Sequence, residues 1–361
     1  MKKLLFTILL LSACLVVKKP LWAQDVHFSQ FYENSIMRNP ALTGIFSGDY
    51  KIGVNYRTQW SSLAVPFQTV LMSAESRILV GKEAGDYLSF GISAAYDKAG
   101  TISFNTMQVY PAINYNKNLE DKHGSFLSVG FAAGYIQRSI DFSKATFSSQ
   151  YVNGGYSQEN LSGENMNNTT IQNYDLAAGI SFNSSALAQN NLNYYLGLAA
   201  YHITKPKHSF SSSENLIRLT TRWTGNAGLK WTFNNAYMVT AHANFNIQNP
   251  YQEIMYGGFI GWQNSAIVAS KDYRKYFSLH AGVFVRKDDA IIPSLKIDYT
   301  HFTFLLSYDI NNSTLNSAGN SNGYEMSVYI RGKYKNKNSD RTYNFACPRF
   351  ENMPNVNSFT N

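Results

Sequence analysis

Two cysteines, Cys14 and Cys347, are all that the 361 residues contain. If Cys14 is removed or lipidated, no internal disulfide can form, and stability has to come from burial or from a membrane. Beyond the leader no apolar run approaches 18 residues, which excludes a membrane-spanning helix. Helical periodicity is scarce throughout. The seven histidines are His27, His123, His202, His208, His242, His280 and His301, and none has metal-ligand spacing such as HExxH. There is no CxxC pair, no GxSxG nucleophile elbow and no phosphate loop. These absences argue against an enzyme and leave no catalytic, cofactor-binding or metal residue to nominate.

The first residues, MKKLLFTILLLSAC, set two lysines before an apolar run from Leu4 to Val17. That run is too short to cross a bilayer as a helix and reads as a secretory signal peptide over residues 1–23. Cleavage after Ala23 leaves Gln24 first. Alternatively, Leu11-Ser12-Ala13-Cys14 is a lipobox and Cys14 is lipidated. Either route takes the chain out of the cytoplasm. The sequence pI is about 9.2. Residues 1–23 hold four lysines and no acid, so their removal lowers the formal charge from +8 to +4. An exported chain with so modest an excess is not expected to bind nucleic acid.

What the chain does have is aromatic side chains: 25 Tyr, 23 Phe and 5 Trp, with a mean hydropathy slightly below zero. Rich in aromatics and glycine yet only mildly hydrophobic is the composition of a membrane β-barrel, where half of every strand faces a polar lumen. The periodicity agrees. In YMVTAHANFNI, residues 237–247, Tyr237, Val239, Ala241, Ala243, Phe245 and Ile247 share one face. Met238, Thr240, His242, Asn244 and Asn246 share the other, the alternation of a strand with one apolar side. Ala243 is therefore expected to face lipid and Asn244 the lumen. About fourteen such segments succeed one another: 49–59, 67–79, 87–97, 105–117, 125–137, 173–184, 193–203, 223–234, 237–247, 252–263, 276–286, 290–300, 302–310 and 324–335. Most have the 9–11 residues a tilted strand needs to cross a bilayer. The long connections, about 138–172, 204–222 and 311–323, share one parity, so they fall on one side. Outer-membrane barrels put long loops outside and short turns in the periplasm. The fold expected is an all-β, antiparallel transmembrane barrel over 49–335. Lys296, Asp298, Arg331 and Lys333 are expected to line its lumen, hydrated or paired. The polar stretch 157–173 is expected to be a solvated external loop that either shields the surface or contacts an exported partner.

The stretch DVHFSQFYENSIMRNPALTG, residues 25–44, is no strand of this series. Phe28, Phe31, Tyr32 and Ile36 have the spacing of one helical face, with Met37 at its edge. Asn39-Pro40 signals a turn or a helix start. Residues 24–48 are thus expected to form a short periplasmic or plug segment, an amphipathic element inside the barrel mouth. At the other end, residues 336–361 form a tail that carries Tyr343, Phe345, Cys347-Pro348 and Phe350. Residues 343–350 have more apolar surface than a free end normally exposes. Phe28, Phe31, Tyr32, Asn39, Pro40 and these five tail residues are the candidates for binding a partner at one periplasmic docking surface.

HFSQFYENSIMRNPALTG, the adjoining YKIGVNYRTQW and the late CPRF at 347–350 resemble the PorP/SprF family of outer-membrane proteins of Bacteroidetes-type bacteria. The resemblance spans essentially the whole mature chain and is densest over residues 25–80. It implies a barrel partner of the type IX secretion system, found in the outer membrane. Such a partner supports secretion or surface attachment of one adhesin-like substrate, as in gliding motility, or links to the periplasmic ring. Its partners would be outer-membrane lipid, ring subunits and a secreted adhesin; no cofactor is implied. Asn-Pro-Ala also opens fatty-acid-transport barrels. The alternative is therefore a FadL-like transporter of small hydrophobic compounds.

Overall fold

The computed structural model describes residues 26–334 except 61–64, 82–84, 153, 158, 161, 164–168, 187–190, 211–217, 234–235, 265–275 and 313–321. Its strands run in chain order as β1 (Tyr50–Gln59), β2 (Phe67–Gly81), β3 (Asp86–Ala99), β4 (Phe104–Asn118), β5 (Phe126–Ser139), the short β6 (Tyr151–Val152) and β7 (Gly155–Tyr156), β8 (Thr170–Ala186) and β9 (Leu192–Tyr201). They continue as β10 (Arg222–Phe233), β11 (Tyr237–Gln248), β12 (Tyr251–Gln263), β13 (Phe277–Arg286), β14 (Ala290–Tyr299), β15 (Phe302–Asn311) and β16 (Gly323–Gly332). The small β6–β7 hairpin stands apart on the connection between β5 and β8.

The other fourteen strands form one closed barrel in which each pairs antiparallel with its neighbours in sequence. Closure is made by β1 and β16, from Tyr50 opposite Gly332 to Gln59 opposite Gly323. A closed sheet leaves no unpaired edge, the condition for a β-structure to sit in hydrocarbon. All fourteen segments read from the alternation are barrel strands. Boundaries move by a few residues: β8 begins at Thr170 rather than 173, and β16 ends at Gly332 rather than 335. Lys333 consequently falls just past the last strand.

The outward face is a lipid-facing surface. Ile92, Ile113, Val129, Ile180, Leu198, Ile260, Val283 and Leu306 are exposed around its middle. Tyr96, Tyr174, Trp223, Tyr308 and Tyr324 ring one end, and Tyr115, Trp231, Tyr237, Trp262 and Tyr299 the other. Aromatic girdles flanking an aliphatic band mark the two interfaces of a membrane barrel. The register of β11 is the one read from the sequence: Asn244 is buried inside and Ala243 lies on the outer face. The connections after β5, β9 and β15 all leave from the ring that contains Trp223, hereafter the long-loop end. The chain enters β1 at the opposite, short-turn end.

Candidate functional site

The lumen is filled by the protein's own N-terminal segment. Residues 26–48 make a 3-10 turn at Phe31–Glu33, a single α-helical turn at Ser35–Arg38 and a 3-10 turn at Pro40–Leu42. The apolar residues therefore do not share the single helical face expected from their spacing. Asn34 (φ −96°, ψ 73°) leaves helical geometry, and Asn39 is extended (φ −164°, ψ 119°) ahead of Pro40. The Asn39 Oδ1 then caps the last turn by accepting from the Ala41 amide at 2.9 Å. The apolar side chains accordingly diverge. Phe28 packs with Leu71 and Ala95, and Phe31 and Tyr32 join Phe259, Phe284 and Tyr329. Ile36 packs against Tyr110, Ile136 and Tyr201.

The segment runs from the long-loop half of the lumen to the short-turn end. Near its start, Ser29 donates its amide to Glu325 Oε2 at 2.6 Å and its hydroxyl to Asp309 Oδ1 at 2.6 Å. Arg57 and Arg286 pair with Asp309 at 3.0 and 3.2 Å, and Arg286 Nη2 also donates to Ser29 Oγ at 2.8 Å. Further along, Glu33 enters a ring of cations from the wall. Lys296 lies 2.5 Å from its Oε1, Arg331 3.1 Å from its Oε2 and Lys51 3.5 Å from its Oε2. Burial alone would raise the Glu33 carboxyl, but these three cations outweigh it and hold the group well below the usual carboxylate range. Beyond Glu33 the Ser35 hydroxyl donates to Glu75, and the Gly44 amide donates to the same carboxylate at 2.8 Å. The chain reaches β1 where the Asp49 amide donates to the Gly332 carbonyl at 2.7 Å.

On the opposite wall the contacts involve small residues and backbone. Gly130 of β5 and Gly179 of β8 face each other in register and point inward. A Cβ on Gly130 would overlap the Pro40 carbonyl carbon, and one on Gly179 would overlap Asn39 Oδ1. The two glycines thus make the groove in which Asn39-Pro40-Ala41 sits. Asn39 Nδ2 donates to the carbonyls of Ile180 and Leu198 at 3.2 and 3.3 Å. Asn114 Nδ2 donates to the carbonyls of Ala41 and Thr43 at 2.9 and 2.8 Å, and the Tyr201 hydroxyl donates to the Ile36 carbonyl. Arg222 Nη2 reaches the Met37 carbonyl at 3.2 Å.

Of the residues nominated from sequence, Phe28, Phe31, Tyr32, Asn39 and Pro40 are all buried against the barrel's own wall. A partner could touch them only if the segment left the lumen. Tyr343, Phe345, Cys347, Pro348 and Phe350 lie outside the described residues. Lys296, Asp298 and Arg331 do line the lumen, and they are paired: Asp298 takes a hydrogen bond from Ser278 at 3.0 Å and lies 3.9 Å from Arg331. Glu33, Ser29 and the inward glycines were missed. A signal for Glu33 existed, since it is the single acid in residues 26–48 while several inward strand positions carry cations.

A sequence profile of the family described as "Type IX secretion system membrane protein PorP/SprF" matches residues 22–330. The chain belongs to the PorP/SprF family. It is a type IX secretion membrane protein whose barrel resides in the outer membrane. Among solved structures, this PorP/SprF protein is similar to the Ralstonia pickettii toluene transporter TbuX at 10% identity. That match covers 82% of this chain and 93% of the other, with a TM-score of 0.48. It is also similar to a Pseudomonas aeruginosa FadL homologue, at 9% identity over 81% of this chain and 91% of that one, TM-score 0.47. For the P. putida toluene transporter TodX the figures are 9%, 82%, 93% and 0.41. These are likenesses of barrel fold. No curated protein sequence matches the chain significantly.

Proposed function

We propose that this PorP/SprF protein is a non-enzymatic scaffold of type IX secretion. It supports secretion or surface attachment of one adhesin-like substrate, in the manner of gliding-associated systems, or links the outer membrane to the periplasmic ring. The observation that carries this reading is the plug. A lumen occupied from Val26 to Ser47, with a buried carboxylate held by three wall cations, suits a docking platform better than a polypeptide conduit. On this reading the short-turn end faces the periplasm. The tail, through Tyr343, Phe345, Cys347, Pro348 and Phe350, docks a ring subunit or the substrate there. Delete residues 338–361, confirm barrel insertion by heat-modifiable migration, purify the variant from detergent and identify co-purifying proteins by mass spectrometry. The expected result is loss of periplasmic subunits from the pull-down and of one surface protein from the cell. Wild-type recovery of both would remove the tail's docking role.

A FadL-like transporter of small hydrophobic compounds is the second reading. It is favoured by a cavity between the plug and the wall. Gene deletion separates the two: the first predicts a missing surface protein with small-molecule uptake intact, the second the reverse.

A further inference from the structure

The cavity has about 610 Å³ of empty space, part of it open to solvent, and lies between the plug and the wall. Arg38, Lys51 and Lys296 line it, with Glu33 as the carboxylate among them. Lys51 and Lys296 direct their charge at Glu33. Arg38 does not: it forms no salt bridge among the described residues, although its side chain belongs to a residue only 7% exposed. Its Nε and Nη1 donors are buried without a hydrogen-bond acceptor. The guanidinium is flanked by rings, 5.2 Å from the centre of Tyr195 and 6.0 Å from that of Phe31. Rings offset part of the cost of removing a cation from water, and the Tyr195 side chain takes one hydrogen bond from Arg38, but Nε and Nη1 are left unsatisfied. Phe259, Tyr195 and Leu42 supply an apolar lining beside it.

A buried arginine with unused donors, next to an apolar wall and under a surplus of positive charge, is built for an anion with an apolar body. We propose that this cavity binds a small monocarboxylate carrying an aromatic or short aliphatic group. The carboxylate would accept from Arg38, and the apolar body would lie along Tyr195 and Phe259. The inference is independent of the secretion reading, because a docking scaffold can carry a small-molecule site as readily as a transporter can.

The test is calorimetric titration of the detergent-solubilised full-length barrel with benzoate and with benzamide, its neutral counterpart of nearly the same shape. Benzoate should bind about ten- to hundredfold more tightly, the range for a hydrogen bond to a charged group. Arg38→Gln should abolish that preference while heat-modifiable migration is kept. Ile45→Trp, which adds volume to the lining without removing a charge, should abolish benzoate binding. Equal affinities for the two probes, no benzoate binding, or an unchanged preference in Arg38→Gln would each overturn the proposal. If Arg38→Gln does not fold, the wild-type comparison and Ile45→Trp still decide it.

Discussion

The plug meets two different walls. On the side of β1 and β13–β16 it is held by charge: Glu33 among Lys51, Lys296 and Arg331, and Ser29 between Asp309, Glu325 and Arg286. On the side of β5, β8 and β9 it is held by shape: Asn39-Pro40-Ala41 lies on Gly130 and Gly179 and bonds to backbone carbonyls. The first kind of contact depends on protonation and fails when one partner is removed. The second is indifferent to pH and fails when volume is added. Removing either kind of contact alone should loosen the segment.

The charged wall should show the largest effect. Glu33→Gln takes from Lys51 and Lys296 their nearest carboxylate and leaves Arg331 only the more distant Asp298, a loss of about 3–5 kcal/mol in plug retention. It should appear as single-channel conductance in planar bilayers and as protease cleavage within residues 26–48, neither of which is expected of wild type. An intact plug in this variant would mean that the glycine wall alone suffices.

Acid should do part of the same. Glu33 has a depressed pKa when seated, so its stabilisation is complete above the pKa of the released carboxyl, about 4.3. It is lost progressively as pH falls from there toward the lower seated value. Conductance should rise progressively as pH falls below about 4.3. Glu33→Gln should flatten that dependence, and an equally steep rise in the variant would place the titration elsewhere.

On the glycine wall the corresponding perturbation is added volume. Gly179→Leu puts side-chain atoms where Asn39 Oδ1 already sits, an overpacking cost of about 1–3 kcal/mol. It should loosen the plug equally at neutral pH and in mild acid, in contrast to Glu33→Gln. A pH-dependent effect would show that the two walls are coupled. The smallest change is Asn39→Ala, which removes a cap and two side-chain bonds to carbonyls. About 0.5–2 kcal/mol is expected, read as a modest increase in cleavage within the plug.

Much of this fold was legible because strand alternation is local. Whether Asn244 faces in or out depends only on its parity in β11, and an apolar outer face has to keep that parity along every strand. The lumen charges were legible for the same reason: Lys296, Asp298 and Arg331 sit at inward positions of strands whose other faces are apolar. The plug was half legible. Its buried apolar residues were found, since leaving Phe28, Phe31, Tyr32 and Ile36 in water is unfavourable. Their arrangement on one helical face was not correct. Asn34 and Asn39 interrupt the helix, and the wall offers three separate apolar sites instead of one groove.

The class of fold, the number of strands, which side chains meet lipid, and the non-strand character of residues 26–48 all come from the sequence alone. Each rests on chemistry repeated at short spacing. Who answers Glu33, why Gly130 and Gly179 must be bare, and that Arg38 is left with unused donors are matters of tertiary structure. Lys51 and the pair Lys296 and Arg331 come from opposite ends of the chain and converge on one carboxylate only when β1 closes on β16. No local pattern encodes that meeting, because barrel closure creates the distance over which those charges act.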